Sequence, residues 1–393
     1  MSAECSAENI PPGYKQTEVG VIPEDWDFDY IENLSHITTG ARNTQDRVDD
    51  GLYPFFVRSQ TVERINSYSF DGEAVLTAGD GVGTGKVFHY INGKFDAHQR
   101  VYRISDFNER INGYFFYLYF SNHFYNRIMQ MTAKSSVDSV RREMIARMLI
   151  PTPSKIEQVA IAESLSDTDA LLESLEQLIA KKRQIKQGAM QELLTGKRRL
   201  PGFSGEWEVK QFGEIVQPRK ERIDPRRTAV QEFCIELEHI EQGTGCLVGC
   251  TATEESSSLK SVFQKDDVLF GKLRAYLRKY WLADREGVCS TEIWVLIAKR
   301  SLLTPHFLFQ LVQVDRFVEI ASLAYGTHMP RSDWNVVKNY EVYLPPLEEQ
   351  ETIATILSDM DSEITALEEK LAKARQIKQG MMQELLTGKI RLI

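Results

Sequence analysis

The sequence predicts a mixed α/β (α+β) protein, in which two globular segments are separated by two long helices that form an antiparallel coiled coil with pseudo-two-fold symmetry. Three observations predict this class. A long segment occurs twice at a constant offset, since Lys186 returns as Lys378, 192 positions later. Apolar residues in both copies recur every seven residues, which is the pattern of a coiled coil. The stretches before each copy carry short β-like runs separated by glycine turns.

The repeated segment is the clearest signal in the chain. Residues 181–197 return as residues 373–389 with few changes. By direct count, 29 of the 48 positions between residues 153 and 200 are identical to the matching positions of residues 345–392. Such agreement indicates an internal duplication.

The duplication divides the chain into variable and constant segments. We predict a loose N-terminal tail over residues 1–13, globular segments over residues 14–152 and 201–344, and helical segments over residues 153–200 and 345–393. Each globular segment opens with a proline and a tryptophan, Pro23 with Trp26 and Pro201 with Trp207. Ile22 would be the natural continuation of the second helical segment. The order of the segments is therefore that of a closed ring with pseudo-two-fold symmetry and one break in the chain.

Each constant segment is predicted to be one long helix. Ile353, Met360 and Leu367 mark a heptad seam in the second copy. Gly196 and Gly388 follow the periodic residues and are expected at position C′, where a positive φ favours glycine. The internal glycines at residues 188 and 380 are expected to mark a local bend. A free-standing helix pair is favoured over a hairpin packed inside one globule, because nearly all outward-facing positions are charged or glutamine.

The globular segments mix strands and helices. Strands are predicted over residues 74–77, 87–90, 100–104, 268–270 and 292–297, and helices over residues 114–131 and 305–323. Aromatic residues dominate the start of the first of these helices. Because they recur at helical spacing, we expect them in the core and not on a base-stacking surface.

Composition excludes several classes of protein. The chain has 393 residues, of which 42% are hydrophobic and 26% charged, so it is neither disordered nor fibrous. No apolar run approaches the ~20 residues of a membrane span, and the first twelve residues do not form a secretory signal. Five cysteines are few and odd in number, which indicates buried, reduced thiols and a cytoplasmic location. The net charge of −9 excludes indiscriminate coating of nucleic acid but permits a locally basic face.

Two motifs that invite an enzymatic or metal-binding interpretation do not support it. The glycine run at residues 79–86 lacks the spacing of a phosphate-binding loop and is followed by Val87, where that loop needs Ser or Thr. His239, Cys246 and Cys250 lack the paired C-x-x-C units of a strong zinc site, so no metal is expected. We find no nucleophile, nuclease or methyltransferase cluster, and the chain is predicted to be non-catalytic.

Basic and aromatic side chains of the globular segments remain as candidate binding chemistry. Arginine and lysine read guanine edges and neutralise phosphates, whereas glutamine and asparagine read adenine. The candidate DNA-binding residues are Arg58, Gln60, Lys86, His98, Gln99 and Arg100 in the first segment and Lys272, Arg274, Tyr276, Arg278 and Lys279 in the second. For any one of them, a solvated surface residue is an equally good interpretation.

Four motifs carry a family likeness that covers nearly the whole chain. They are the repeated Arg-Gln-Ile-Lys-Gln-Gly segment, Leu344-Pro345-Pro346-Leu347-Glu348-Glu349-Gln350, residues 267–277 and residues 326–331. Together they resemble the specificity subunit of type I restriction–modification systems. The resemblance adds His328 and Arg331 to the candidate DNA-binding residues. Pro151-Thr152-Pro153, at the start of the first copy, departs slightly from the Pro-Pro pattern of the family.

The resemblance implies two target-recognition domains, each of which reads half of a bipartite site in double-stranded DNA. It implies no cofactor in this chain. The implied partners are two methyltransferase subunits, which use S-adenosylmethionine to methylate adenine, and restriction/translocase subunits. Candidate partner-binding residues are Gln184, Lys186, Gln187, Gln376, Lys378 and Gln379, because identical surfaces bind identical partners. The alternative from another class is a coiled-coil adaptor that bridges protein partners, which leaves the basic strands unexplained.

Overall fold

The computed structural model of the chain describes residues 10–131, 139–254, 258–323 and 330–392. The chain divides into two compact units: unit 1 comprises Met1–Leu175 and Lys370–Ile393, and unit 2 comprises Glu176–Glu369. In the described ranges, no helix is both long enough and apolar enough to cross a membrane. Most of the predicted tail, residues 1–9, lies outside the described residues.

The elements of unit 1 are mostly short strands followed by two longer helices. In chain order they are β1 (Tyr14–Thr17), β2 (Gly20–Pro23), β3 (Asp27–Tyr30), α1 (Ile31–Leu34), β4 (His36–Thr39), β5 (Tyr53–Phe56), β6 (Glu63–Ile65), β7 (Phe70–Ala78), β8 (Phe88–Ala97), β9 (Val101–Ser105), α2 (Gly113–Met131), α3 (Arg142–Ala146), β10 (Leu149–Thr152) and the first part of α4 (Lys155–Leu193).

Unit 2 contains a similar series of short strands and helices. After the remainder of α4 come β11 (Glu208–Gln211), α5 (Phe212–Ile215), β12 (Val216–Pro218), β13 (Arg222–Ile223), β14 (Cys234–Ile235), β15 (Lys260–Phe263), β16 (Val268–Gly271), β17 (Tyr280–Leu282), β18 (Gly287–Ser290), β19 (Ile293–Ala298), α6 (Pro305–Leu311), α7 (Asp315–Ala321), α8 (Trp334–Val337), β20 (Glu341–Leu344) and the first part of α9 (Leu347–Leu385). The last part of α9 belongs to unit 1. Every predicted strand overlaps a strand of the structure, and the mixed fold class with two long helices is confirmed.

The main sheet of unit 1 has six strands in the order β4-β9-β7-β8-β5-β6. Its first four strands are antiparallel to one another, and β5 is parallel to β8. Helix α2 packs on this sheet, and Phe115, Phe116, Phe120 and Phe124 are fully buried. The aromatic start of α2 is therefore core, as the helical spacing predicted.

The main sheet of unit 2 repeats these four strands in the order β12-β19-β16-β17, and a second sheet has the order β13-β15-β18-β14.

Helices α6 and α7 occupy the place of the predicted helix over residues 305–323. That prediction was wrong in one respect, because Val314 adopts an extended backbone with ψ of 136° and separates the two helices. The carbonyl of Gln313 accepts a hydrogen bond from the Arg278 guanidinium at 3.2 Å. The apolar pattern continues across this break and does not reveal it.

The repeated helices make the same contacts inside each unit. In unit 1, Lys378 of α9 forms an ion pair with Asp169 of α4. In unit 2, Lys186 of α4 forms the matching pair with Asp361 of α9. The two pairs are related by the offset of the repeat, since 186 + 192 = 378 and 169 + 192 = 361.

A buried glutamate forms a second repeated contact. Glu157 accepts hydrogen bonds from Nε of Arg391 at 2.6 Å, from Nη2 of the same arginine at 2.9 Å and from the Trp26 indole at 3.0 Å. In unit 2, Glu349 accepts two bonds from one arginine, both at 2.8 Å, and one from an indole at 3.2 Å; the donors are Arg199 and Trp207. In each unit the start of one helix lies beside residues that follow the other helix, so the two portions run antiparallel.

A glutamine one position later completes this frame. In each unit its side-chain amide accepts one backbone N–H and donates to two carbonyls, at distances of 2.7–2.9 Å. These bonds join Gln158 to Arg110, Asn112 and Pro153, and Gln350 to Leu302, Thr304 and Pro345. The globular segment of each unit is thus seated on the helices through its backbone.

The glycines of the repeat behave in two ways. Gly196 and Gly388 both have φ of +72°, the left-handed backbone that the prediction required, and each lies three residues after the last helical residue, which is one position beyond C′. Gly188 and Gly380 lie within α4 and α9, and both helices are continuous through them.

Candidate nucleic-acid interface

One end of the four antiparallel strands that both main sheets share gathers most of the described candidate residues in each unit. In unit 1 the C-terminal ends of β4 and β7 meet the N-terminal ends of β8 and β9, since Thr39 lies opposite Tyr102 and Ala78 opposite Val101. The equivalent strands of unit 2 have the same order and direction. Most of the predicted residues that the structure describes therefore lie in the connections at equivalent sheet ends.

Three loops of unit 1 meet at one carboxylate. Arg58 follows β5, Asp80 follows β7 and Arg100 precedes β9. Arg58 Nη1 donates to Asp80 Oδ1 at 2.8 Å, and Arg100 Nη1 donates to Asp80 Oδ2 at 3.2 Å. The Arg100 side chain is 63% exposed, whereas that of Asp80 is 23% exposed. The structure thus places two predicted arginines side by side, with most of their N–H groups without a partner among the described residues.

His98 and Gln99 support this group from the backbone side. The buried His98 imidazole accepts the Arg100 backbone N–H at Nδ1 over 3.0 Å, so the neutral ring carries its proton on Nε2. Burial lowers the pKa of His98, and the Arg58 guanidinium lowers it further. Gln99 is exposed and donates to Asn43 Oδ1 at 2.6 Å. His98 is therefore an uncharged structural support at neutral pH, and Gln99 is presented to solvent.

Lys86 and Gln60 are both exposed. The Lys86 ammonium is 5.5 Å from the ring centroid of Tyr125 on α2. Gln60 follows Ser59, whose carbonyl lies 3.1 Å from a histidine ring nitrogen. Within the described residues, no contact joins either side chain to Asp80.

Sequence reasoning missed three residues of this surface. Arg42 and Asn43 follow β4, and Arg42 Nε donates to the buried Asp96 at 3.0 Å. No strand was predicted at β4, so its connection was not considered. Asp80 was missed because the glycine run around it was judged only as a phosphate-binding loop. Its acidic character, between two basic loops, was the available signal.

In unit 2, Lys272 lines a groove of about 440 Å³ at the equivalent sheet end. The other cationic and aromatic residues of the groove are Arg219, Lys220, Arg222, Trp294 and Trp334. Arg219 is held by the largely buried Asp267 through two hydrogen bonds of 2.9 and 3.1 Å. Sequence reasoning missed these cations because they follow β12, a three-residue strand without a periodic signal.

Arg274, Tyr276 and Arg331 are exposed. Arg274 adopts φ of +55°, and its backbone N–H donates to the Pro330 carbonyl at 2.9 Å. Arg331 Nε donates to Glu292 at 2.8 Å. His328 lies outside the described residues.

Arg278 and Lys279 have partners inside the protein. The Arg278 guanidinium forms an ion pair with Asp315 at the start of α7, and Lys279 Nζ donates to the Leu237 carbonyl at 2.6 Å. Both side chains are half-buried. The structure does not bring them together with Lys272, and their contact with DNA stays a prediction.

The partner-binding candidates divide by exposure. Gln184, Gln187, Gln376 and Gln379 are exposed, whereas Lys186 and Lys378 are half-buried in the repeated ion pairs. Gln187 also donates to Asp315 at 2.8 Å. Burial raises the pKa of Asp361, while Lys186 opposes that shift. Sequence reasoning missed Ile185 and Ile377, which are exposed apolar residues at matching positions of the repeat.

The cysteines correct one expectation. Cys234 and Cys289 are buried, and burial raises the pKa of the Cys234 thiol to about 11. Cys246 and Cys250 are exposed, so the prediction of buried thiols was wrong for these two. Among the described residues, no group of three or more His, Cys, Asp or Glu side chains is placed to hold a metal ion.

The fold and these surfaces define a duplicated α/β protein with one cation-rich sheet end in each unit. A family model described as type I restriction modification DNA specificity domain matches twice, over residues 23–187 and 204–378. The chain belongs to this family.

Individual relatives agree with that family. The type I restriction enzyme EcoDI specificity subunit of Escherichia coli is 27% identical over 412 residues, which cover 94% of this chain and 90% of the relative. The MjaVIII specificity subunit of Methanocaldococcus jannaschii is 24% identical and covers 94% of each chain. The crystal structure of a type I S subunit from M. genitalium shares the fold, with a TM-score of 0.61, 17% identity and coverage of 92% and 96%. None of these matches supports the adaptor alternative.

Proposed function

We propose that this chain is the DNA-reading subunit of a type I restriction–modification complex, and that each unit reads one half of a bipartite site in double-stranded DNA. The observation that carries the proposal is the gathering of cationic side chains at equivalent sheet ends in a chain of the specificity family. Two unlike reading surfaces on one repeated frame recognise two unlike half-sites. The bases between the half-sites go unread. Because one repeated frame joins the two reading surfaces, this spacer has a fixed length.

The charge distribution is consistent with this role. The chain carries a net charge of −9, yet Arg58 with Arg100 in unit 1 and Arg222 with Lys272 in unit 2 concentrate positive charge at the sheet ends. Local cations neutralise phosphates and present donors to guanine, while the acidic remainder disfavours indiscriminate binding.

The chemistry belongs to partners in this proposal. The chain itself is non-catalytic and holds no cofactor, and two methyltransferase subunits supply S-adenosylmethionine and methylate adenine. They attach to matching surfaces of the repeat, where Ile185 and Ile377 are exposed beside the glutamines at residues 184 and 376. Restriction/translocase subunits join the same complex in the cytoplasm.

Methylome sequencing of the host with and without this gene tests the proposal. We expect one bipartite motif, with adenine methylated in both halves, to lose its methylation on deletion and regain it when the gene is restored. As a control, deletion of the gene for another methyltransferase in the same host should leave the methylation of that motif unchanged. A methylome that is identical with and without the gene, in cells that express the methyltransferase partner, contradicts the proposal.

A further inference from the structure

A single carboxylate holds both exposed arginines of the unit 1 surface. Asp80 accepts one hydrogen bond at each oxygen, from Arg58 and from Arg100. The three residues come from three different connections, so no local turn or helix geometry brings them together. An isolated exposed arginine samples many rotamers, whereas one anchored on a carboxylate is restricted before a ligand arrives.

The carboxylate is itself fixed by its backbone. The Gly79 N–H donates to the Arg100 carbonyl at 2.8 Å, and the Gly79 carbonyl accepts the Val140 N–H at 2.7 Å. A β-carbon at Gly79 would lie 3.0 Å from the Arg100 carbonyl oxygen, which is tighter than ordinary contact. The absence of a side chain at Gly79 therefore lets the two loops lie this close together. Asp80 is thus a rigid anchor, and the arginines are the exposed part of the group.

The charge of the group has a consequence for DNA binding. Two guanidiniums and one carboxylate sum to +1, so the carboxylate cancels half of the attraction that the arginines exert on phosphates. Phosphate attraction is independent of sequence. An anchored guanidinium keeps its remaining donors for a base edge, where bidentate contact with guanine requires a defined orientation.

From this geometry we propose that Asp80 is a positioning residue for sequence discrimination: it aims Arg58 and Arg100 at base edges and suppresses their binding to phosphates of unrelated DNA. The proposal rests on the function proposed above and adds a residue that was not among the predicted DNA-binding candidates. Unit 2 contains a related pair with different residues, since Glu292 holds Arg331 at 2.8 Å. Glu292 matches Arg100 in the fold, because each residue directly precedes an equivalent strand, β19 or β9.

The test compares Asp80→Asn with wild type in the reconstituted complex with its methyltransferase subunits. Fluorescence anisotropy measures the affinity for a duplex that carries the motif and for one with scrambled half-sites, at several salt concentrations. We expect affinity for the scrambled duplex to rise about threefold, the salt slope to steepen by about one, and the ratio of specific to non-specific affinity to fall about tenfold or more. The methylome should relax only in the half-site read by unit 1.

Two further variants keep the test decisive. Asp71→Asn makes the same charge change at the other end of β7 and should leave the ratio unchanged. Asp80→Glu keeps the charge but moves it one methylene outward, so it should restore the salt slope without restoring discrimination. This variant also serves if Asp80→Asn does not fold.

The outcomes separate the two proposals. Loss of specificity in Asp80→Asn with an unchanged salt slope overturns the charge argument, and an unchanged specificity ratio in folded Asp80→Asn overturns the positioning role. In both cases the wild-type complex still prefers its motif. If the wild-type complex shows no preference for any DNA sequence, the proposed function fails instead.

Discussion

Replacing Arg391 by alanine is expected to destabilise unit 1 by about 3–5 kcal/mol. Glu157 is fully buried, and Arg391 supplies two of the three hydrogen bonds that its carboxylate accepts. Removing one partner of a buried ion pair leaves an uncompensated charge, which is the origin of this magnitude. The second ion pair of Arg391, with the exposed Asp25, adds at most about 1 kcal/mol because it is solvated.

Hydrogen exchange monitored by mass spectrometry measures this effect in each unit separately. We expect amides of β7, β8 and α2 to exchange about 10²- to 4 × 10³-fold faster in Arg391→Ala, since each 1.4 kcal/mol corresponds to a factor of ten. The matched variant Arg199→Ala removes the same contact from Glu349 in unit 2 and should accelerate exchange in the strands of that unit. Arg198→Ala is the control, because its exposed side chain meets Glu192 only at 3.5 Å, and it should change stability by less than about 0.5 kcal/mol.

A double variant separates the loss of the ion pair from the loss of packing. Arg391→Met combined with Glu157→Gln removes both charges and should recover part of the stability that Arg391→Ala loses. Exchange in Arg391→Ala that equals wild type would refute the reasoning. An acceleration that is equal in both units would show that the arginine does not act through its own unit.

Four other outcomes are expected. Exchanging residues 14–152 for those of a relative should change one half-site of the methylated motif; a change in both halves would contradict independent reading. Alanine at Arg100 or Lys272 should weaken DNA binding about 5- to 150-fold and relax one base position if the residue reads a base, or lower the salt slope by about one if it contacts phosphate; unaltered binding curves would identify a solvated charge. A circular permutant that joins Ile393 to Tyr14 by a short linker and opens beside Gly202 should fold and methylate the same motif, because the Tyr14 hydroxyl already donates to the Gly388 carbonyl at 3.0 Å; an insoluble product would count against this. Burial lowers the pKa of His123 below 6.5, so the unfolded chain binds a proton at this histidine at a higher pH than the folded chain does. The free energy of unfolding of wild type, measured in urea relative to His123→Gln, should therefore decrease as the pH falls below about 6.5. A difference that does not depend on pH would disprove this linkage.

The long helices could be predicted because their signals are local and repeated. The heptads, the prolines before the helices and the glycines at residues 196 and 388 each act within a few residues of chain, and the duplication shows every signal twice. The strands β7, β9, β16 and β19 were also visible, because they are bounded by glycine turns or charged residues. Short strands such as β12 are specified by their neighbours in the sheet and have no pattern of their own.

The candidate surface could be predicted only in part. Arg58, Arg100 and Lys272 stood out as cations beside strands, and the structure places them at the sheet ends. The role of Asp80 depends on contacts with residues 22 and 20 positions away, which no local pattern encodes. Arg278 carries the same charge as Lys272, yet it forms an ion pair with Asp315 at the start of α7. This pairing could not be predicted, because the break between α6 and α7 was not visible in the sequence.

The glutamine that seats each globular segment on the helices bonds only to backbone atoms. At the matching positions the seated residues differ, Arg110 against Leu302 and Asn112 against Thr304, yet the three bonds are the same. These three bonds place no demand on the side chains of the segment that they hold, unlike the bonds of Trp26 to Glu157 and of Trp207 to Glu349. A relative's segment in place of residues 14–152 or 201–344 would therefore keep the three backbone bonds of Gln158 or Gln350, and its fit would depend on the tryptophan and the apolar residues that meet the helices.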